Sequence, residues 1–202
     1  MIKNIIFDFG RVIVDFNETK MTRAYIEDDA LVPTVRDVVF DRLYWDPLDI
    51  GDITDEEVRE GIASRVPKDI VAPALAVYDR WIDNVDLIPH IEEAISAARE
   101  RAEGLYLLSN ISIKFANEYK ENPNMRRVLA PFDGLVFSGP LHLIKPDTRI
   151  FRYLLDTYGL SAEECLFIDD SPKNIAGAES LGIHTYLFDG DAEKLTKYIF
   201  SI

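Results

Sequence analysis

Four short stretches hold polar side chains whose types and settings suit chemistry: Asp8, Ser109-Asn110, Lys145-Pro146 and Asp169-Asp170. Asp8 directly follows the apolar run Ile2–Phe7 and stands beside Gly10. A carboxylate there is either a turn former or cap, or a nucleophile or metal ligand. Asp169-Asp170 is more specific. Two adjacent acids straight after Leu166-Phe167-Ile168 repel each other, and a hard divalent cation relieves that repulsion. One of them has the alternative of capping the next helix, but Ser171 already stands as an N-cap before Pro172. Ser109-Asn110 offers a hydroxyl, an amide and backbone N–H groups to phosphate oxygens, or is an ordinary polar turn. Lys145 sits on a loop that Pro146 stiffens. It is either solvated or turned toward the acids, where it neutralises both a nucleophile and a phosphoryl group.

These groups lie about 100 and 60 residues apart, so a sheet has to bring them together. Strand-like runs cover Ile2–Phe7, Leu105–Leu108, Leu135–Phe137, Leu166–Ile168 and Ile183–Phe188. Helical spacing covers Ile91–Arg101, Ile113–Tyr119, Asp147–Tyr158 with Gly159 as C-cap, Pro172–Leu181 and Ala192–Phe200. Strand–helix alternation of this kind predicts an α/β fold, a Rossmann-like, mostly parallel sheet with helices on both faces. Such a sheet binds ligands beyond the carboxyl ends of its strands, where the polar groups above are found. Phe9–Phe16 has no helical period, and Gly10 is the place for a sharp turn. From about 18 to 84 the pattern is helical only, as in Val35, Val38, Val39 and Leu43, then Val58 and Ile62, punctuated by Pro33, Pro47, Gly51 and Pro67. Thr54 and Glu57 form a capping box. We therefore expect residues 1–16 and 86–202 to make the α/β core, and 17–85 an all-helical cap of three to five short helices.

The 202 residues are 48% apolar, enough for a large core. Asp and Glu number 36 against 22 Lys and Arg, a net charge of -14 that repels nucleic acid and anionic membranes. An anionic substrate must then be drawn in locally. Cys165 is the only cysteine, which excludes an intrachain disulfide and a thiol-rich metal site, and its surroundings make it a core residue. No run is long enough to span a membrane, and the start of the chain lacks the apolar block of a signal peptide. The expectation is a cytoplasmic protein, monomeric or weakly dimeric.

Taken in order, Phe7-Asp8-Phe9-Gly10-Arg11-Val12-Ile13, Leu107-Leu108-Ser109-Asn110, Lys145-Pro146 and Phe167-Ile168-Asp169-Asp170-Ser171-Pro172-Lys173-Asn174 resemble the four motifs of the haloacid dehalogenase superfamily. The resemblance covers nearly the whole chain, including a helical cap between the first and second motifs. It is nearest to small bacterial sugar-phosphate phosphatases whose first motif reads Asp-x-Gly. It implies Mg2+-dependent hydrolysis of a small phosphorylated metabolite, with Asp8 as nucleophile and Asp8, Asp170 and the Gly10 carbonyl as metal ligands. Asp169 is implied to bind directly or through water. Ser109, Asn110, Lys145 and the Phe9–Gly10 backbone are implied to hold phosphate, and Asn174 to steady the metal loop. One departure matters: the usual second Asp of the first motif, an acid and base, is Gly10 here. Asp15 is the nearest substitute in sequence, with His142 and His90 weaker ones. The alternatives are a weakly active or silent phospho-metabolite-binding protein and, less favoured, a 2-haloacid dehalogenase. The paired acids Asp169-Asp170 argue against the latter, because without a cation they suppress an anionic nucleophile.

Overall fold

The computed structural model describes Met1–Ile202. At its centre lies β1 (Asn4–Phe7), flanked by β4 (Gly104–Ser109) and β6 (Cys165–Asp169). The edges are β5 (Gly134–Phe137) and β7 (His184–Leu187), giving the order β5-β4-β1-β6-β7 with every pair parallel. Alternation along the buried strands divides the core into two layers. Ile5, Phe7, Leu105, Leu107, Leu166 and Ile168 face one side, while Ile6, Tyr106, Leu108, Cys165 and Phe167 face the other. The first layer is covered by α6 (Ile91–Arg101) and α11 (Ala192–Ser201). The second is covered by α9 (Thr148–Tyr158) and α10 (Pro172–Glu179), through Ile150, Phe151, Leu154, Ile175 and Ala178. The expected α/β architecture is present, and the buried Cys165 lies within it.

Between β4 and β5 run α7 (Ile113–Glu118) and α8 (Pro123–Leu129). The second of these was not expected, because seven residues carry too little periodicity to stand out. Its start is nonetheless well built: Pro123 takes the first turn and the Asn122 side chain accepts from the Asn124 and Met125 amides.

Between β1 and α6 lie five helices: α1 (Glu18–Arg23), α2 (Val32–Val39), α3 (Arg42–Ile50), α4 (Asp55–Arg65) and α5 (Val71–Asp79). They bury their own cluster of 16 residues, separate from the sheet layers. The capping box at Thr54 and Glu57 is formed in both directions. Two further elements frame this insertion. β2 (Val14–Asp15) pairs antiparallel with β3 (Asp86–Leu87), so the outgoing and returning chains lie side by side. Two residues per strand are too few for alternation to show in sequence. The turn before β2 also differs from expectation: Arg11, not Gly10, has the left-handed conformation, φ 60°. A non-glycine residue there is uncommon and clusters at functional sites.

No helix is long and apolar enough to cross a membrane. The helical cap rests on the core through the end of α3. Gly51 caps α3 at φ +84°, and a Cβ there would stand 2.5 Å from the Gly139 carbonyl oxygen. Gly51→Ala combines a left-handed penalty of about 1–2 kcal/mol with a clash at the docking contact. Hydrogen exchange is expected to accelerate across 42–50 while β1, β4 and β6 stay protected; unchanged exchange in α3 would contradict this contact's role.

Candidate active site

The parallel register brings the separated polar groups to one edge of the sheet. Phe7 lies opposite Leu107 in β4 and Ile168 in β6, so Asp8 emerges level with Leu108 and Asp169, with Ser109 one residue further along β4. The Asp8 amide donates to the Ile168 carbonyl at 2.8 Å, which extends the β1–β6 ladder up to the site. The chain builds outward from β1 to β5 on one side, then crosses to β6 on the other. Asp8 and Asp169 therefore stand at the switch point, where neighbouring connections diverge and leave a crevice.

Lys145 fills the floor of that crevice. Its Nζ donates to Asp8 Oδ1 at 2.7 Å, Asp169 Oδ2 at 2.8 Å and the Leu108 carbonyl at 2.8 Å. All three ammonium protons are thereby used. Lys145 is 3% exposed and Asp169 is fully buried. Of the sequence alternatives for Lys145 the structure shows the second: it points at the acids, and its donors go to two carboxylates and a carbonyl. Its backbone is fixed by Asn110, whose Oδ1 accepts from the Lys145 amide at 2.8 Å and whose Nδ2 donates to the Lys145 carbonyl at 3.0 Å. The Asn110 side chain is thus a clamp between the end of β4 and the lysine loop.

Asp169 is engaged at both oxygens. Oδ1 accepts from the Ser171 amide at 2.8 Å and from Asn174 Nδ2 at 3.0 Å; Oδ2 accepts from Lys145 and from Asn174 at 3.0 Å. The Ser171 side chain makes no capping bond. Ser171 stands at the N-cap position with Pro172 at N1, as the sequence predicts, and Asp169 takes its amide, because β6 delivers that carboxylate over the start of α10.

Ligand oxygens of Asp8, Asp169 and Asp170 lie within 4.8 Å of one another and can hold a metal ion. With the acids ionised and Lys145 protonated, the cluster carries a net charge of -2. Hard oxygen donors with that charge suit a divalent cation such as Mg2+. The pKa shifts report the same tension. Burial, aided by Asp169, pushes the Asp8 carboxyl up to about 7 against the pull of Lys145. Burial and then Asp169 raise Asp170, while Arg11 and Lys145 oppose the rise. Burial works against the Lys145 charge, but Asp8 and Asp169 outweigh it and keep the ammonium above the ordinary lysine value.

The cap covers this edge and leaves a cleft of about 730 Å3. Gly10, Ser109, Asn110, Lys145, Asp170 and Asn174 border it from below, as does Phe9. Asp15 does not: it is exposed on β2, facing a different depression on the surface. His90 and His142 are likewise exposed and pair with surface acids. Sequence reasoning missed Arg11, Asp46, Asp49 and Lys173, which all border the cleft. Asp49 had a readable signal. Trp45, Leu48 and Asp49 form the buried stripe of α3, so an acid occupies an i+4 apolar position.

Two outcomes follow from this charge arrangement. Lys145→Met leaves Asp8 and Asp169 facing each other without their cation, and is expected to cost about 3–5 kcal/mol in denaturant unfolding. Wild type in EDTA binds an extra proton at Asp8 when folded, up to about pH 7, against about 4 when unfolded. Its stability relative to Asp8→Asn is therefore expected to fall as pH rises through that window. A difference that grows with pH would contradict a raised Asp8.

A sequence profile of haloacid dehalogenase-like hydrolases matches residues 2–182. Among characterised proteins, the chain is 26% identical to a D-ribitol-5-phosphate phosphatase of Bacteroides thetaiotaomicron, covering 96% of this chain and 95% of the relative. A predicted HAD-like family hydrolase from Porphyromonas gingivalis superposes with a TM-score of 0.68 at 29% identity, over 94% of this chain and 92% of that one. A magnesium complex of a HAD family enzyme from Bacteroides thetaiotaomicron gives 0.68 at 25% identity, over 92% of both chains. The fold and the carboxylate cluster of Asp8, Asp169 and Asp170 support phosphatase-type hydrolase activity. With the profile spanning four of the five sheet strands, the inserted cap and all four polar stretches, the chain belongs to the haloacid dehalogenase-like hydrolases.

Proposed function

We propose that this enzyme hydrolyses a small phosphate monoester, of sugar- or polyol-phosphate size, with Asp8 as nucleophile and Mg2+ as cofactor. The observation that carries the reading is the oxygen cluster of net charge -2 at the floor of a capped cleft, with its one lysine buried among the carboxylates. The relative named for ribitol 5-phosphate supports the substrate class, and the cleft has the matching character. Phe16, Trp45 and Trp81 offer apolar faces, while Arg11, Arg42 and Lys173 offer positive charge at its border. On this reading the core comprises 1–16 and 86–202, and the cap 17–85.

Asp8, Asp170 and the Gly10 carbonyl would hold Mg2+. Asp169, whose oxygens are already taken, fits contact through water better than direct ligation. Bound there, the cation supplies positive charge that shields the substrate phosphate from the acids. On this reading Ser109, which is buried at the end of β4, and the Phe9, Gly10 and Asn110 amides donate to phosphate oxygens. The Gly10 amide takes no part in the hydrogen bonds of the Phe9–Val14 turn. Lys145 keeps Asp8 oriented and offsets its charge, so one carboxylate oxygen can attack phosphorus in line. An aspartyl-phosphate forms, and water then releases inorganic phosphate and regenerates Asp8. Asn174 steadies Asp169 throughout.

The test is a screen of sugar phosphates, nucleotides and short organic phosphates with Mg2+ and with EDTA. Turnover is expected only with the metal and is expected to fall at least about 1,000-fold in Asp8→Asn. Isothermal titration should show weaker Mg2+ binding in Asp170→Asn. In wild type the affinity should rise with pH until about 7, because the cation displaces the proton that burial leaves on Asp8. Metal-independent turnover, or full activity in Asp8→Asn, would defeat the proposal.

A further inference from the structure

An alkoxide leaving phosphorus needs a proton, and the carboxylates on the cleft floor are committed elsewhere. Asp8 makes the new bond, Asp169 is hydrogen-bonded at both oxygens, and Asp170 faces the cation position. The cap contributes another carboxyl. Asp49, near the end of α3, borders the same cleft as Asp170 and Lys145. It is 8% exposed, and its Oδ1 has no hydrogen-bond partner. A buried, unpartnered carboxyl is costly, unlike Asp46, which pairs with Arg42, or Glu18, which is half-buried. The backbone beneath Asp49 is also pinned to the core. The buried Ser138 hydroxyl, just beyond β5, donates to the Asp49 carbonyl while accepting from the Ile111 amide. Gly51 lies against Gly139 two residues further on. Docking of the cap therefore fixes where this carboxyl stands.

We propose that Asp49 is the general acid and base of the cleft, brought to the substrate by the cap. The inference rests on the phosphatase reading. As the Asp8–phosphorus bond forms and the bond to the leaving oxygen breaks, the Asp49 carboxyl gives its proton to that oxygen. The resulting carboxylate then takes a proton from the water that attacks the aspartyl-phosphate, and the cycle closes with Asp49 protonated again. Burial, reinforced by Asp46 and opposed by Arg42, holds this carboxyl well above the usual carboxylate range. That is the direction a proton donor in the first step requires. Open space around Gly10, where a Cβ would meet nothing within 4 Å, is consistent with the acid arriving from above instead of from the β1 loop.

The experiment measures single-turnover release of the leaving group, with Mg2+ present, across aryl and alkyl phosphates of graded leaving-group pKa, from 4-nitrophenyl phosphate to the best alkyl ester in the screen. Wild type is expected to show a shallow dependence. Asp49→Asn should make it steep, losing about a hundredfold or more on the alkyl ester while 4-nitrophenyl phosphate stays within a few-fold. Mg2+ titration of the variant should match wild type and shows that the site has folded. A steep dependence in wild type overturns the role of Asp49 without needing any variant. So does an Asp49→Asn slope equal to wild type, or an equal loss on both esters. Absence of turnover by wild type with every ester defeats the phosphatase reading, and the role of Asp49 with it.

Discussion

The buried ammonium of Lys145 is the constraint on which the site depends. Three strand ends converge on it: Asp8 after β1, the Leu108 carbonyl in β4 and Asp169 in β6. Without a cation, parallel strands would deliver two carboxylates into one low-dielectric pocket, where their mutual repulsion is large. With it, the same carboxylates become acceptors that fix the lysine, and the lysine's loop is fixed in turn by Asn110. Interactions of this kind are weak evidence for stability, because desolvation offsets much of the attraction. Their value here is positional. The lysine leaves a residual negative charge, and that excess suits the cluster to a divalent ion.

Much of this was legible in the chain, and the division between what was and was not has a physical basis. Strands buried on both faces read as continuous apolar runs, so β1, β4 and β6 were plain, and Asp8 and Asp169 fell at their ends. Helices long enough to show a stripe, such as α9, were equally plain, with Asp147 and Gly159 marking both ends. What escaped notice was short or non-local. The β2–β3 ribbon offers two residues per strand, and its register depends on a partner some seventy residues away. The direction of the Asn110 side chain depends on a loop 35 residues later. Asp49 escaped because a helical acid is by default a solvated one, and only its neighbours Trp45 and Leu48 mark the face as buried.

The cap is joined to the core by packing as well as by the chain. Phe16, Phe40 and Trp45 lie edge-to-face or tilted against one another, and Trp81 carries the series on to Phe115 in the core. Phe115 touches Phe9, the residue after Asp8, at a ring separation of 5.1 Å. Aromatic pairs of this kind add about 0.5–1.5 kcal/mol each beyond simple burial. A continuous run of them joins the cap interior to the β1 loop beside Asp8. The chain's overall negative charge, by contrast, gives no help in gathering phosphate esters. Attraction is confined to the cleft, where Arg11, Arg42 and Lys173 border the opening.

The β2–β3 ribbon has a consequence for how the two lobes have been able to change. Because the strands of the ribbon are hydrogen-bonded neighbours, the insertion begins and ends at nearly the same point in space. A segment with touching ends can lengthen, shorten or be exchanged with little loop-closure cost to the host. Selection can therefore rework the recognition surface while the sheet and its lysine stay untouched. With a proton donor riding on that exchangeable segment, however, selectivity and reactivity are inherited together, and a transplanted cap would bring its own chemistry with it.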